Sequence, residues 1–383
     1  MKKFMEKVSI LSLSLVLTTS FSISSAQSAM FAYYKDLPES WIELLVSLPS
    51  AGIMLMLILN GLVEKYLSER KMIVTGLLIF SLCGFVPLVN KAYWVIFASR
   101  LIFGMGVGLL NAKAISIISE RYEGKERIQT LGLRGSAEVV GTALLTLGVS
   151  QLLHFGWEIS FLVYASGLIV LALYLLFVPY GKEEKHHEAR QEGKGLTAAQ
   201  WFLTIGLALV AAVIVLTNVV INVRVPGLVE KSGMGSVQTA GLILSTMQLI
   251  GIAAGLSFAP LLHYFKENLL TVAGVAFGLT SIMIGLAPNL LLLSVVTIAS
   301  GFVYSVSLTS IFHILSERIP SKSLNQATSI VILGCSAGAT ATTFFLSLIS
   351  QFSSQASFIF GVLGSLMVLM AVLAFGLLKK KSA

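Results

Sequence analysis

The sequence predicts an all-α integral membrane protein of twelve transmembrane helices in two pseudo-symmetric six-helix bundles. Three observations carry this: scarce charge, apolar runs of membrane-spanning length, and an internal repeat. Of 383 residues, 56% are hydrophobic and 11% charged, and the mean hydropathy is +0.89. A soluble domain carries about 25% charged residues because its surface faces water. Apolar runs of about 20 residues, each able to cross a ~30 Å hydrocarbon core as a helix, recur along the chain. A membrane β-barrel would instead show alternating segments of ~10 residues.

The spans fall at about 8–32, 41–63, 72–90, 93–118, 128–153, 159–178, 201–223, 238–262, 268–287, 290–315, 326–350 and 355–378. Connections are short except for the polar stretch 180–200. The expected domains are therefore an N-terminal bundle over 1–179, a cytoplasmic central loop over 180–200 and a C-terminal bundle over 201–383.

Lys and Arg set the orientation, because cytoplasmic loops retain them. With the N-terminus inside, nineteen fall in inside segments, among them Lys65, Arg70, Arg121, Lys266 and Arg318. Four fall outside: Lys35, Lys91, Arg224 and Lys231. Both termini are thus expected in the cytoplasm, with the chain in the cell membrane. The same bias accounts for the pI near 9.4 without a nucleic-acid partner. The first thirty residues also carry signal-peptide marks, namely a basic start, an apolar stretch and small residues. The repeat requires them as a first helix.

That repeat appears when the halves are compared at a shift of 197 residues. Gly104 meets Gly301, Ser119-Glu120-Arg121 meets Ser316-Glu317-Arg318, Gly141 meets Gly338, and Gly167 meets Gly364. A shift of 198 pairs Tyr66, Glu69, Val74 and Gly76 with Tyr264, Glu267, Val272 and Gly274. Parallel repeats of this kind place a solute site near the bilayer midplane and open it alternately to the two sides.

Several segments resemble the major facilitator superfamily. Arg100-Leu-Ile-Phe-Gly104-Met-Gly106-Val-Gly108 is similar to that family's R-x-x-x-G-x-G-x-G, and Gly156-Trp157 with Phe161 to its G-W-x-x-x-F. The loop Glu120–Arg127 is similar to its span 4–5 connection. The resemblance implies a transporter fold, and it implies that Arg100 is linked to proton coupling. Two departures stand out. The span 2–3 loop, Gly61 to Lys71, keeps the glycine and the basic end but has Glu64 as a shifted acid. Span five lacks the G-P-x-x-G-G of drug/proton antiporters.

Glu138 reads as the one acid deep in a span, where a carboxylate in lipid costs at least ~2.5 kcal/mol. Arg134 lies four residues before it, on the same helical face. Lys113 is at similar depth in span four, so Lys113, Arg134 and Glu138 are expected to form one cluster. It would act as a proton-responsive switch or as a structural ion pair. Three buried cations against one acid predict a cavity that favours neutral or anionic groups over bare organic cations. His313 is the best second titrating group, since its intrinsic pKa lies near neutrality. Gln27, Asn111, Asn218, Asn222, Gln248 and Tyr304 are candidate solute contacts, each with interhelical hydrogen bonding as the alternative.

Enzyme-like strings do not hold up. Gly334-Cys335-Ser336-Ala337-Gly338 fits G-x-S-x-G but lies in mid-span helix, whereas that motif needs a strand–turn–helix. No Walker-type phosphate loop exists, and Cys83 and Cys335 suggest neither a disulfide framework nor a metal cluster. The expectation is a monomeric, non-enzymatic secondary transporter without a cofactor. It would move a small organic solute across the lipid bilayer by alternating access, coupled to protons, with export preferred. Alternatives are an uptake permease, a flippase for an amphipathic lipid-linked molecule, and a membrane-embedded enzyme. The glycine pairs 104/108, 251/255 and 334/338 are expected to be close-packing seams.

Overall fold

A computed structural model describes residues 2–17, 19–114, 116–122, 124–179 and 196–379. The expected central loop therefore lies outside the described residues over 180–195. Among the described residues, ten stretches are long and apolar enough to cross a membrane, or eleven with one bent pair counted as a span. One stretch, Val237–Leu286, is 50 residues long. As straight helix it would reach roughly 75 Å, more than twice the hydrocarbon thickness. It consists of helices Val237–Phe265 and Leu269–Leu286, parted by a 3-10 turn at Lys266–Asn268. Counted as two, it completes the twelve expected spans.

Contacts divide the chain into two compact units. The first holds residues 2–179 with Ser236–Ser245, the second 196–235 with 246–379.

In the first unit, span one corrects the expected single helix over 8–32. It begins at Lys2 and is broken: α-helix Lys2–Ser12, 3-10 turns Leu13–Val16 and Thr19–Ala26, then α-helix Gln27–Tyr33, with a bend of 49°. Ser9, Ser12 and Thr19 turn their hydroxyls onto the carbonyls of Met5, Ser9 and Val16, competing with the helical ladder. Span one is nonetheless core: Ile10, Leu13, Val16, Leu17 and Ile23 are all buried. Spans two to five are Glu39–Tyr66, Glu69–Val89, Tyr93–Ala114 continued by Ser116–Arg121, and Gly124–Leu152. Span six starts at Trp157 and runs through a 3-10 segment, Phe161–Ala165, to Phe177.

In the second unit, Thr197 and Gln200 form a reciprocal capping box that starts span seven, Ala198–Lys231. The Asn289 side chain caps span ten, Leu290–Arg318. Spans eleven and twelve are Ser321–Ser350 and Ala356–Lys379.

The repeat is visible in backbone packing. A Cβ on Gly141 would stand 2.0 Å from the Leu15 carbonyl oxygen, and one on Gly338 2.1 Å from that of Ala212. Both partners lie 197 residues apart. Likewise Gly104 abuts the Pro49 carbonyl and Gly301 that of Met247. Each unit thus seals two helix crossings at positions where only hydrogen fits. Gly251 rests against Ser305, but Gly255 has open space around it, so the expected seam at 251/255 is half a seam.

Candidate substrate and coupling site

Arg100 is the most constrained charge in the first unit, 2% exposed. Pro49 in span two has no N–H for the Leu45 carbonyl four residues back, and Arg100 Nε donates to that oxygen at 2.9 Å. Nη2 donates to the Ser20 carbonyl in the broken part of span one at 2.7 Å, and Nη1 reaches the Tyr164 hydroxyl in span six at 3.4 Å. The guanidinium also lies 4.8 Å from the Phe103 ring centre and 5.8 Å from that of Phe161. Four spans therefore converge on one cation. Gly104 and Gly108, one and two turns on, let span four approach span two, so the R-x-x-x-G-x-x-x-G face is one packing surface. This geometry favours Arg100 as a clamp on irregular backbone.

Lys113, expected in one cluster with Arg134 and Glu138, also has a partner in span two. Lys113 gives its ammonium to Glu64 Oε1 at 2.9 Å, across spans four and two, and Asn60 Nδ2 donates to the same oxygen at 2.9 Å. Burial pushes the Glu64 carboxyl up, but the hydrogen bonds from Lys113 and Asn60 outweigh it and leave it below its usual value. The Arg134–Glu138 pair stands as expected, at 3.4 Å within span five, both side chains mostly buried.

A second correction concerns acids within spans. Glu43 in span two is 2% exposed. It lies four residues into the helix that begins at Glu39, one turn below the end. Arg224 is not in an outer loop either. Span seven continues to Lys231 and carries Arg224 as a half-buried helical residue. Its partner in the repeat is Gln27, a signal present in the sequence but not used.

The polar candidates scatter. Gln27 is buried, its Oε1 without a hydrogen bond, as are the hydroxyls of Ser14, Ser20, Ser24 and Ser25 on the same broken span. Asn111 is half-buried in span four. In the second unit, Asn222 Nδ2 donates to the Asn218 backbone carbonyl at 2.8 Å, which ties Asn222 to its own helix, and Asn218 is half-buried. Gln248 is half-buried, and Tyr304 packs 6.0 Å from Phe277. His313 lies near the end of span ten, its Nε2 3.4 Å from Glu317 Oε1 and its ring 5.9 Å from Phe258. It belongs to the second unit, and the Arg134–Glu138 pair to the first.

Comparison with known proteins agrees with this architecture. A protein TsgA homolog of Yersinia pestis (strain Pestoides F) is 22% identical over 320 residues, covering 82% of this chain and 79% of the relative. A D-xylose–proton symporter superposes with a TM-score of 0.76 at 16% identity, covering 98% of both chains. A POT family transporter in complex with a thioalcohol-conjugated peptide gives 0.77 at 14% identity, over 97% of this chain and 95% of that one. The family model for the Major Facilitator Superfamily matches residues 4–290. With the duplicated six-helix units and the Arg100–Gly104–Gly108 face, this match establishes that the chain belongs to the Major Facilitator Superfamily.

Proposed function

We propose that the protein is a secondary active transporter that moves a small organic solute by alternating access, coupled to protons and running in the direction of export. The bundles over 1–179 and 201–383 are its two moving parts, with 180–200 as the joint. It works as a monomer in the cell membrane, both termini cytoplasmic.

The observation that carries the coupling is the Arg134–Glu138 pair inside span five. A carboxylate at that depth is held by one guanidinium. Protonating Glu138 leaves Arg134 without its counter-charge, which shifts the balance between states that bury the pair and states that hydrate it. Gln27, with its open acceptor, is the strongest solute contact of the first unit, and Arg224 adds a cation to the second. Both suit a neutral or anionic solute. The fold is one that a D-xylose–proton symporter uses, so it accommodates proton coupling and keeps uptake as the second reading.

The test is transport into and out of proteoliposomes across a panel of neutral, anionic and cationic solutes, with and without a pH gradient. Glu138→Gln should abolish gradient-driven accumulation while leaving solute exchange. Full gradient-driven transport by Glu138→Gln would remove the coupling role. A preference for quaternary ammonium solutes would remove the proposed selectivity.

A further inference from the structure

Span one and its repeat partner, span seven, are built from different material. At a shift of 197 residues, Ser24, Ser25 and Ala26 of span one meet Ile221, Asn222 and Val223 of span seven. Span seven is one α-helix, Ala198–Lys231, whereas span one leaves the α-helix at Ser12 and regains it at Gln27. The six-helix unit therefore requires neither the small residues nor the break. The order of residues in span one is that of a secretory signal: Lys2, Lys3 and Lys7, then the mainly apolar stretch 8–17, then small residues ending in Ser24-Ser25-Ala26. A signal peptidase reads small side chains just before the bond it cuts. Here that bond is the one between Ala26 and Gln27.

In the folded unit the bond is concealed: Ser24 and Ala26 are fully buried and Gln27 is 2% exposed. The contacts that hold the segment all come from later spans. Gly141 closes on the Leu15 backbone, and Arg100 Nη2 donates to the Ser20 carbonyl at 2.7 Å. The Tyr164 hydroxyl donates to the Thr19 carbonyl at 3.4 Å, and Thr146 Oγ1 to the Ser22 hydroxyl at 3.3 Å. Before spans four, five and six are in place, none of these contacts exists. The segment is also held at a cost, because the hydroxyls of Ser14, Ser20, Ser24 and Ser25 are buried without hydrogen bonds. Each such group makes it easier to pull span one out of the unit.

We propose that span one holds a latent signal-peptidase site at the Ala26–Gln27 bond, which the packing of spans four, five and six conceals and which is cut in chains whose first unit fails to close. The reaction is hydrolysis. Water adds across the C–N bond, leaving a carboxylate on Ala26 and an ammonium on Gln27. A protease needs exposed backbone, and the 3-10 turn Thr19–Ala26 unwinds at less cost than an α-helix because its hydrogen bonds are poorer. The cut is irreversible and takes away Ser20, whose carbonyl Arg100 needs as an acceptor. A cut chain therefore cannot complete the first unit, so cleavage removes failed copies from use. The site does not depend on which solute is transported.

The test incubates the purified full-length chain with a signal peptidase in detergent micelles and reads intact mass and N-terminal sequence. The wild-type chain should keep residues 1–26. Gly141→Leu drives a side chain into the Leu15 backbone, and Arg100→Met removes the contact at Ser20. Each should raise the cut fraction about tenfold or more, since cleavage follows the population of the opened state, and the new N-terminus should be Gln27. Adding Ala26→Leu to Gly141→Leu leaves span one loosened but spoils the site, and should abolish the cut. A wild-type chain cut as readily as the variants would overturn the concealment. Intact N-termini in both loosened variants, a cut at another bond, or a cut that survives Ala26→Leu would overturn the site.

Discussion

Arg100 gives the Leu45 carbonyl the hydrogen bond that Pro49 cannot, at 2.9 Å and from a different span. Proline in a mid-membrane helix leaves an acceptor that lipid will not satisfy, and a buried arginine needs acceptors. Each answers the other.

This pairing predicts a thermodynamic coupling. Arg100→Met leaves the Leu45 and Ser20 carbonyls without a donor, costing about 1–3 kcal/mol for each. In a Pro49→Ala background the residue-49 N–H can take the Leu45 carbonyl, so the same change should cost less. A double-mutant cycle on thermal unfolding in detergent should give a coupling of about 0.5–3 kcal/mol. Strict additivity would show that the two residues act separately.

The glycine seams predict a contrast within one residue type. Gly141→Ala and Gly338→Ala each drive a methyl into a backbone carbonyl, and overpacking of this kind costs about 1–3 kcal/mol. Gly255→Ala meets nothing within 4 Å and should be neutral or slightly stabilising, since alanine is the better helix former. Melting temperatures of the three variants, measured in one detergent, decide this.

Acid should weaken two contacts outside the membrane core. For Glu158, burial raises the carboxyl, but the bond from Lys91 at 2.5 Å prevails and holds it below its usual value. Glu64 is lowered in the same sense by Lys113 and Asn60. A depressed carboxyl stabilises the fold at pH above its unfolded value of 4.5, and this stability is lost as pH falls through the folded value. Thermal stability contributed by these pairs should therefore hold from neutral pH down to the unfolded value of 4.5 and be lost progressively below it. Lys91→Met and Lys113→Met should each flatten that decline; an unchanged pH profile in both would refute the assignment.

Two arginines in equivalent positions cap the last helix of each unit. Arg121 donates to the Pro179 carbonyl at 3.1 Å and Arg318 to that of Leu378 at 3.2 Å. Replacing either by methionine should lower stability by about 1–2 kcal/mol through loss of a charged donor at a helix C-terminus. Lysine should restore only part of this, because one ammonium cannot hold the carbonyl and the neighbouring acid in a fixed fork. Unfolding of Arg318→Met and Arg318→Lys in detergent separates the cases.

The helices, the repeat and the family were legible because each is written in local pattern: apolar length, spacing and small residues at fixed separation. The Arg134–Glu138 pair was legible for the same reason, as its partners are one turn apart. The Lys113–Glu64 contact was not, because the two are 49 residues apart on different helices and no pattern ranks facing directions. Span one misled for a chemical reason. Its small polar residues pass as ordinary helix, yet Ser12 and Thr19 turn their hydroxyls onto backbone carbonyls at the break. Arg224 was lost because an apolar run was taken to end at its first charge, whereas the helix carries that charge inside.

The matched glycines at 141 and 338 make the chain its own reference. Where the halves still agree, as at those glycines and at Arg121 and Arg318, the shared architecture tolerates no choice. Where they disagree, as at Gln27 against Arg224 or Tyr174 against Ala371, one copy has been released to specialise. Exchanging such residues between copies, each into the other's place, would ask the molecule which of its differences matter.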